Sequence, residues 1–129
     1  MHTSFSYVIE CKLTSWWIDS VYKKLGEKHM TFCGISHPLL PADIMYYSQV
    51  LHYRMHGVPD LYKFPYKHTD LKHIFESIAR MKKFKIACIY FNNDIVGSAV
   101  RNAKELLALT WHTCLLLRHN MGYDITFKY

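Results

Sequence analysis

Short apolar runs alternate with amphipathic stretches along this chain, and this alternation constrains the fold more than any other feature. Strands are predicted where apolar runs occur, at residues 7–11, 30–36, 50–56 and 85–91. Helices are predicted where apolar residues recur at helical spacing, from Thr14 or Ser15 to Gly26, from Thr69 through Ile78, and from Val96 to Leu107 with a pattern that continues to Leu117. Strands that alternate with helices favour a parallel sheet with helical crossovers.

The number of strands indicates only part of a common architecture. Four strands with helices on one side correspond to half of a (β/α) barrel, and a complete barrel takes about 200 residues or more. The chain has 129 residues. We therefore predict an α/β fold of the partial TIM-barrel type, a (β/α) half-barrel with about four parallel strands; a small open α/β sheet is the alternative. Residues 43–47 are predicted to form one helical turn, and the tail at 125–129 to be an edge strand or loose.

Composition excludes several classes of protein. Half of the residues are hydrophobic, which is too many for a disordered chain. No apolar run is long enough to span a membrane, and the first residues lack a secretory signal pattern. The four cysteines have no C-x-x-C spacing, so we expect reduced thiols and a cytoplasmic location.

The charge is basic but dispersed. The net charge is +6 at neutral pH, and the only dense basic stretch, Lys82-Lys83-Phe84-Lys85, falls where a helix is predicted to end. Lysines there complement the helix dipole. The sequence therefore does not predict a nucleic-acid partner.

Polar residues occur at or just after the carboxyl ends of the predicted strands, at the edge where parallel α/β folds place their functional groups. Arginine binds carboxylate or phosphate groups through two hydrogen bonds, and histidine exchanges a proton near neutral pH. We predict a site for a small anionic ligand, with Glu10 and His56 as candidate catalytic residues and with ligand contacts from Lys12, Arg54, Asn92 and Asn93.

Structural interpretations of these residues remain open. A Glu10–Arg54 pair is also typical of a salt bridge in a barrel core. Residues 92–94 are also suited to cap the next helix. Trp16-Trp17 are suited to pack in the core at the start of a helix. His52 and His56 would lie about 13 Å apart along a strand, too far to share one ion, so no metal site is predicted. The sequence has no phosphate-binding glycine loop, and no cofactor is predicted.

Several landmarks recur in a fixed order, and together they resemble one family. They are Glu10-Cys-Lys-Leu-Thr-Ser-Trp16, Thr31-Phe-Cys-Gly-Ile-Ser36, Leu51-His-Tyr-Arg-Met-His-Gly-Val-Pro59, Leu61-Tyr62, Tyr90-Phe-Asn-Asn-Asp94 and Asn102-Ala103. The pattern is similar to the YecE-like family, domain of unknown function number seventy-two. The resemblance implies a TIM-barrel-like fold without an established activity. It spans residues 7–110 and matches the family's C-terminal half, so residues 1–110 are assigned to that half and 111–129 to an extension of unclear origin.

Two positions depart from the family pattern. Lys12 stands where the family commonly has arginine, and Leu13 where it has histidine. Lysine cannot reproduce a bidentate fork, and leucine cannot transfer protons. The resemblance therefore implies a truncated or split barrel without catalysis on its own. The alternative is a hydrolase-like or other barrel enzyme that acts on a phosphate or carboxylate substrate through Arg54, His56 and Glu10.

A half-barrel has consequences for partners. It leaves two unpaired sheet edges and an uncovered inner face. Depending on register, we expect Val50, Phe32 or Cys88 to contact water or a partner. The predicted partners are a second copy of the chain or a separately encoded N-terminal half.

Overall fold

The computed structural model describes residues 7–44, 49–81, 84–117 and 124–128, with side chains as far as residue 110. Its strands are β1 (Tyr7–Ile9), β2 (Met30–Ser36), β3 (Val50–Met55), β4 (Ile86–Phe91) and β5 (Asp124–Lys128). Its helices are α1 (Asp19–Glu27), α2 (His68–Arg80) and α3 (Ser98–Leu117). Two short 3-10 turns, Thr14–Trp16 and Ile95–Gly97, precede α1 and α3.

The strands form one parallel sheet in which chain order and spatial order agree. The order is β1-β2-β3-β4-β5, and every neighbouring pair is parallel. This confirms the predicted parallel α/β fold and is compatible with a partial (β/α) barrel, in which successive strands are also neighbours. The tail, for which a strand and a loose segment were both open, contributes β5 beside β4.

The helix-covered face of the sheet holds the larger core. Leu51, Tyr53 and Met55 alternate along β3 on this face and are buried, since side chains of a strand alternate between its two faces. They cluster with the apolar stripes of α2 and α3, which include Leu71, Ile78, Ala103 and Leu106. Burial of these stripes accounts for the helical periodicity seen in the sequence.

A smaller core lies around Phe32 of β2. Its ring packs edge-on against Trp17 and Tyr22, at centroid distances of 4.9 and 4.7 Å. Of the three residues predicted as alternatives for contact with water or a partner, Phe32 is excluded, because its position along β2 turns it towards α1. The other two, Val50 and Cys88, are half-buried. The packing prediction holds for Trp17, whereas Trp16 is largely exposed.

The helix ends differ from the predicted caps. Thr14 begins a 3-10 turn, and α1 itself begins only at Asp19 and runs past Gly26. The left-handed residue after α1 is His29, with φ of 57°. In α2 the N-cap is Lys67 rather than Thr69, because Asp70 Oδ2 accepts the Lys67 backbone N–H at 3.0 Å and satisfies a donor at the helix start.

Some predictions concern residues for which the structure gives no description. The predicted turn at 43–47 is described only as far as residue 44, and Lys82 and Lys83 are also outside the described ranges. Within those ranges, no helix has the length and apolarity needed to cross a lipid bilayer. The cysteines at 11, 33 and 88 are free thiols.

Candidate functional site

The face of the sheet opposite the helices carries an open groove. Its volume is about 460 Å³, and it is lined by residues of β1 to β4 and by Glu10 and Asn92, which follow β1 and β4. In β3 the groove receives His52 and Arg54, the residues that alternate with the buried core positions. The full lining is Val8, Glu10, Cys33, His52, Arg54, Tyr90, Phe91 and Asn92.

Glu10 is the centre of charge in this groove. Its Oε1 pairs with Lys12 Nζ, and its Oε2 accepts a hydrogen bond from an Arg54 guanidinium nitrogen. Burial raises the pKa of Glu10, but the bonds from Lys12 and Arg54 outweigh it, so the pKa lies below its usual value of 4.5. The structure thus brings together three of the predicted site residues, with the carboxyl group ionised at neutral pH.

His56 lies behind this ion pair and is only 2% exposed. Its Nδ1 lies 3.1 Å from Asn92 Nδ2, and its Nε2 lies 3.4 Å from Glu10 Oε1. Because an amide nitrogen only donates, Nδ1 accepts this bond and the neutral ring carries its proton on Nε2. That Nε2–H is buried, and its nearest acceptor, Glu10 Oε1 at 3.4 Å, is not aligned for a hydrogen bond.

The surroundings of His56 favour the neutral ring. Burial lowers the pKa of His56, the charges of Lys12 and Arg54 lower it further, and Glu10 opposes them only in part. The pKa therefore lies below its usual value of 6.5. At neutral pH the imidazole is an uncharged hydrogen-bond donor between two cations and a carboxylate.

Two further rings flank His56. The His37 ring lies 6.2 Å away and the Tyr62 ring 5.8 Å away, both edge-on to the imidazole. Burial and the charge of Lys12 lower the pKa of His37. Neither His37 nor Tyr62 was among the predicted site residues.

Asn93 points away from the groove, although it directly follows Asn92. Its Nδ2 donates to Asn102 Oδ1 at 2.9 Å and to the Phe64 carbonyl at 3.1 Å. Its role as a ligand contact stays a prediction. The 3-10 turn that follows has Asp94 as its N-cap without a side-chain capping bond, so capping does not account for this stretch.

Tyr66 connects the Asn93 network to His56. Its hydroxyl accepts the Gly57 backbone N–H and donates to Ser36 Oγ, both at 2.8 Å. Its own backbone N–H and carbonyl are held by the Asn102 side chain at 2.9 Å. His56, which precedes Gly57, donates its backbone N–H to the Ser36 carbonyl at 3.1 Å. Tyr66 and Asn102 therefore fix the backbone that presents His56.

Sequence reasoning missed Tyr62, Tyr66 and Asn102 as parts of the site. A signal for two of them was present, because Leu61-Tyr62 and Asn102-Ala103 belong to the recurring landmarks. They were read there only as marks of resemblance, since their partners lie far along the chain.

The groove floor combines stacked rings and thiols. His52 and Tyr90 lie 5.7 Å apart with an interplanar angle of 9°. Burial raises the pKa of the Cys33 thiol to about 12, so it stays protonated. Among the described residues, no group of three or more His, Cys, Asp or Glu side chains is placed to hold a metal ion.

Comparison with known proteins gives one family and one structural relative. The family model described as "Protein of unknown function DUF72" matches residues 1–118. A crystal structure of a DUF72 family protein from Thermotoga maritima matches with a TM-score of 0.74 and 21% sequence identity. The match covers 85% of this chain and 47% of that protein, so the chain spans about half the length of its structural relative. No curated protein matches the chain.

Proposed function

This chain belongs to the DUF72 family of proteins of unknown function, and we propose that it binds a small ligand carrying a phosphate or carboxylate group in the groove. The observation that carries the proposal is the buried Nε2–H of His56, which lies beside Glu10 Oε1 at 3.4 Å but is not aligned with it for a hydrogen bond. A buried donor without an aligned acceptor is costly, and a well-placed anionic oxygen of a ligand would satisfy it.

The charges around this donor support an anion rather than a neutral ligand. Lys12 and Arg54 share the single carboxylate of Glu10, which leaves a net positive charge beside the neutral imidazole. The bond from one guanidinium nitrogen to Glu10 leaves further donors in the Arg54 fork. Such a fork binds planar or tetrahedral oxyanions through two hydrogen bonds.

A test compares the affinities of two arginine variants for anions. Isothermal titration calorimetry with inorganic phosphate and acetate should show binding by the wild type and a loss of roughly tenfold to a hundredfold in Arg54→Ala, as expected for one charged hydrogen-bonding partner. Arg80→Ala removes the same charge on α2, away from the groove, and should bind as the wild type does. Equal affinities in Arg54→Ala and the wild type would overturn the proposal.

We further propose that the sheet is part of a barrel whose other strands come from a second copy of the chain or from a separately encoded N-terminal half. The open groove face and the match to 47% of the structural relative support this. On this view the chain binds its ligand in the cytoplasm but does not catalyse a reaction alone. Light scattering should show an oligomer, and a monomer at micromolar concentration would contradict self-association.

The position of Glu10 favours an enzyme as the second candidate function. The ionised Glu10 carboxylate lies 3.4 Å from His56 Nε2, an arrangement that can transfer protons. In such an enzyme Arg54 and His56 would hold an anionic substrate, and Glu10 would accept a proton from it. Hydrolysis of aryl phosphates or carboxylic esters by the purified chain, abolished in Glu10→Gln, would favour this candidate. Absence of turnover in the presence of measurable anion binding would favour the binding role.

A further inference from the structure

The backbone of Tyr62, whose ring flanks His56, is held in an uncommon conformation. Its φ is 64°, in the left-handed region that bulky residues rarely adopt. Two backbone hydrogen bonds fix it there: the Tyr62 N–H donates to the His56 carbonyl at 2.7 Å, and the Tyr62 carbonyl accepts the Ile95 N–H at 3.2 Å. Strain of this kind persists where the surroundings over-determine the conformation, and it concentrates at functional sites.

The turn before Tyr62 brings it back onto His56. Gly57 has φ of +100°, and a Cβ at this position would lie 3.1 Å from the Tyr62 backbone nitrogen. The close approach therefore requires glycine. The chain leaves β3 at His56, turns through Gly57 and returns so that Tyr62 packs against the imidazole.

The Tyr62 ring is placed but not buried. It lies edge-on to His56 at 5.8 Å with an interplanar angle of 77°, and the residue remains 42% exposed. A tyrosine held only for packing would be expected to bury its ring, because burial is the source of its stabilisation. Here the backbone is strained to hold a ring that still faces solvent.

We propose that the anion bound in the groove carries a ring beside its charged group, and that this ring packs on Tyr62. The inference rests on the proposed anion site. The Nε2–H that receives the anionic oxygen belongs to the same imidazole, His56, that the Tyr62 ring contacts. A ligand whose charged group binds His56 and Arg54 therefore brings an attached ring within reach of Tyr62.

The experiment compares phenyl phosphate with methyl phosphate, which share the charged group and differ in the ring. Calorimetry with the wild type should give roughly threefold to tenfold tighter binding of phenyl phosphate, the range expected of an aromatic pair. Tyr62→Asn removes the ring and suits a left-handed backbone, so it should lose this preference while methyl phosphate binds as before. Tyr62→Phe keeps the ring and should keep the preference.

Val96→Asn is the matched control. Val96 also has a left-handed backbone, with φ of 65°, and is 79% exposed in the neighbouring turn. This variant makes the same change of conformational preference without removing an aromatic ring, and it should retain the preference for phenyl phosphate. A purely structural role for Tyr62 would change thermal stability in Tyr62→Asn but leave the ratio of the two affinities intact.

The outcomes separate this inference from the proposed function. Binding of both esters with equal affinity by the wild type, or an unchanged ratio in Tyr62→Asn, would overturn the role of Tyr62 and leave the anion site standing. If neither ester binds, the proposed anion site is overturned, and this inference with it.

Discussion

The two faces of β3 differ in what covers them, although their residues alternate within six positions. Leu51 and Met55 on the helix-covered face are fully buried, whereas His52 and Arg54 on the groove face remain half-exposed. The covered face packs apolar groups that stabilise the fold, and the open face presents polar groups that remain partly accessible to solvent. Stability and ligand binding therefore depend on alternate residues of one strand, and substitutions on the two faces should affect one property without the other.

The largest expected effect comes from the covered face. Leu51→Ala should lower the free energy of unfolding by about 2–5 kcal/mol, because it leaves a cavity in the main core. His52→Ala, one residue away on the groove face, should cost less than about 1 kcal/mol. Urea denaturation followed by circular dichroism measures both. Similar losses in the two variants would show that the groove face is buried in solution.

A second pair of variants compares the buried network with the groove. Asn102→Ala should lower the free energy of unfolding by about 2–4 kcal/mol, since it leaves the Tyr66 backbone N–H and carbonyl without partners and removes one of the two acceptors of Asn93 Nδ2. Asn92→Ala should cost about 1 kcal/mol. It should, however, release His56 Nδ1 and change the histidine tautomer seen by nitrogen-15 NMR. An unaltered tautomer in Asn92→Ala would contradict the assigned hydrogen bond.

The smallest effect is a pH dependence from Glu10. Its pKa is lower in the folded chain than its usual value of 4.5, so its stabilisation is complete above that pH and is lost as the pH falls through the folded pKa. The wild type should therefore exceed Glu10→Gln in unfolding free energy by about 0.5–1 kcal/mol at pH 7, with the difference vanishing at strongly acidic pH. A difference that grows in acid would contradict this sign.

Regular patterns in the sequence were sufficient for the parallel sheet and for part of the site. Glu10 and Arg54 were predicted to share an edge because strand ends of a parallel sheet meet there, and they form an ion pair. The network of Tyr66 and Asn102 was not predictable in the same way, because its bonds join residues 36 apart in the chain. The opposite directions of Asn92 and Asn93 depend on the same tertiary contacts.

The helix starts were also beyond local reasoning. Thr69 has a favourable capping side chain, but the carboxylate of Asp70 reaches the Lys67 N–H and begins α2 two residues earlier. The left-handed backbone of Tyr62 has no signature in its residue type, since it results from the two hydrogen bonds that close the turn after Gly57.

The buried thiol of Cys33 can serve as a chemical probe of motion at the groove floor. Alkylating reagents attack the thiolate, and this thiol is both shielded and protonated at physiological pH. Its modification therefore requires a local motion that exposes the sulfur atom and allows the thiol to ionise. The rate at which Cys33 is labelled therefore measures how often this motion occurs. A ligand that binds in the groove and restrains the strands should lower that rate.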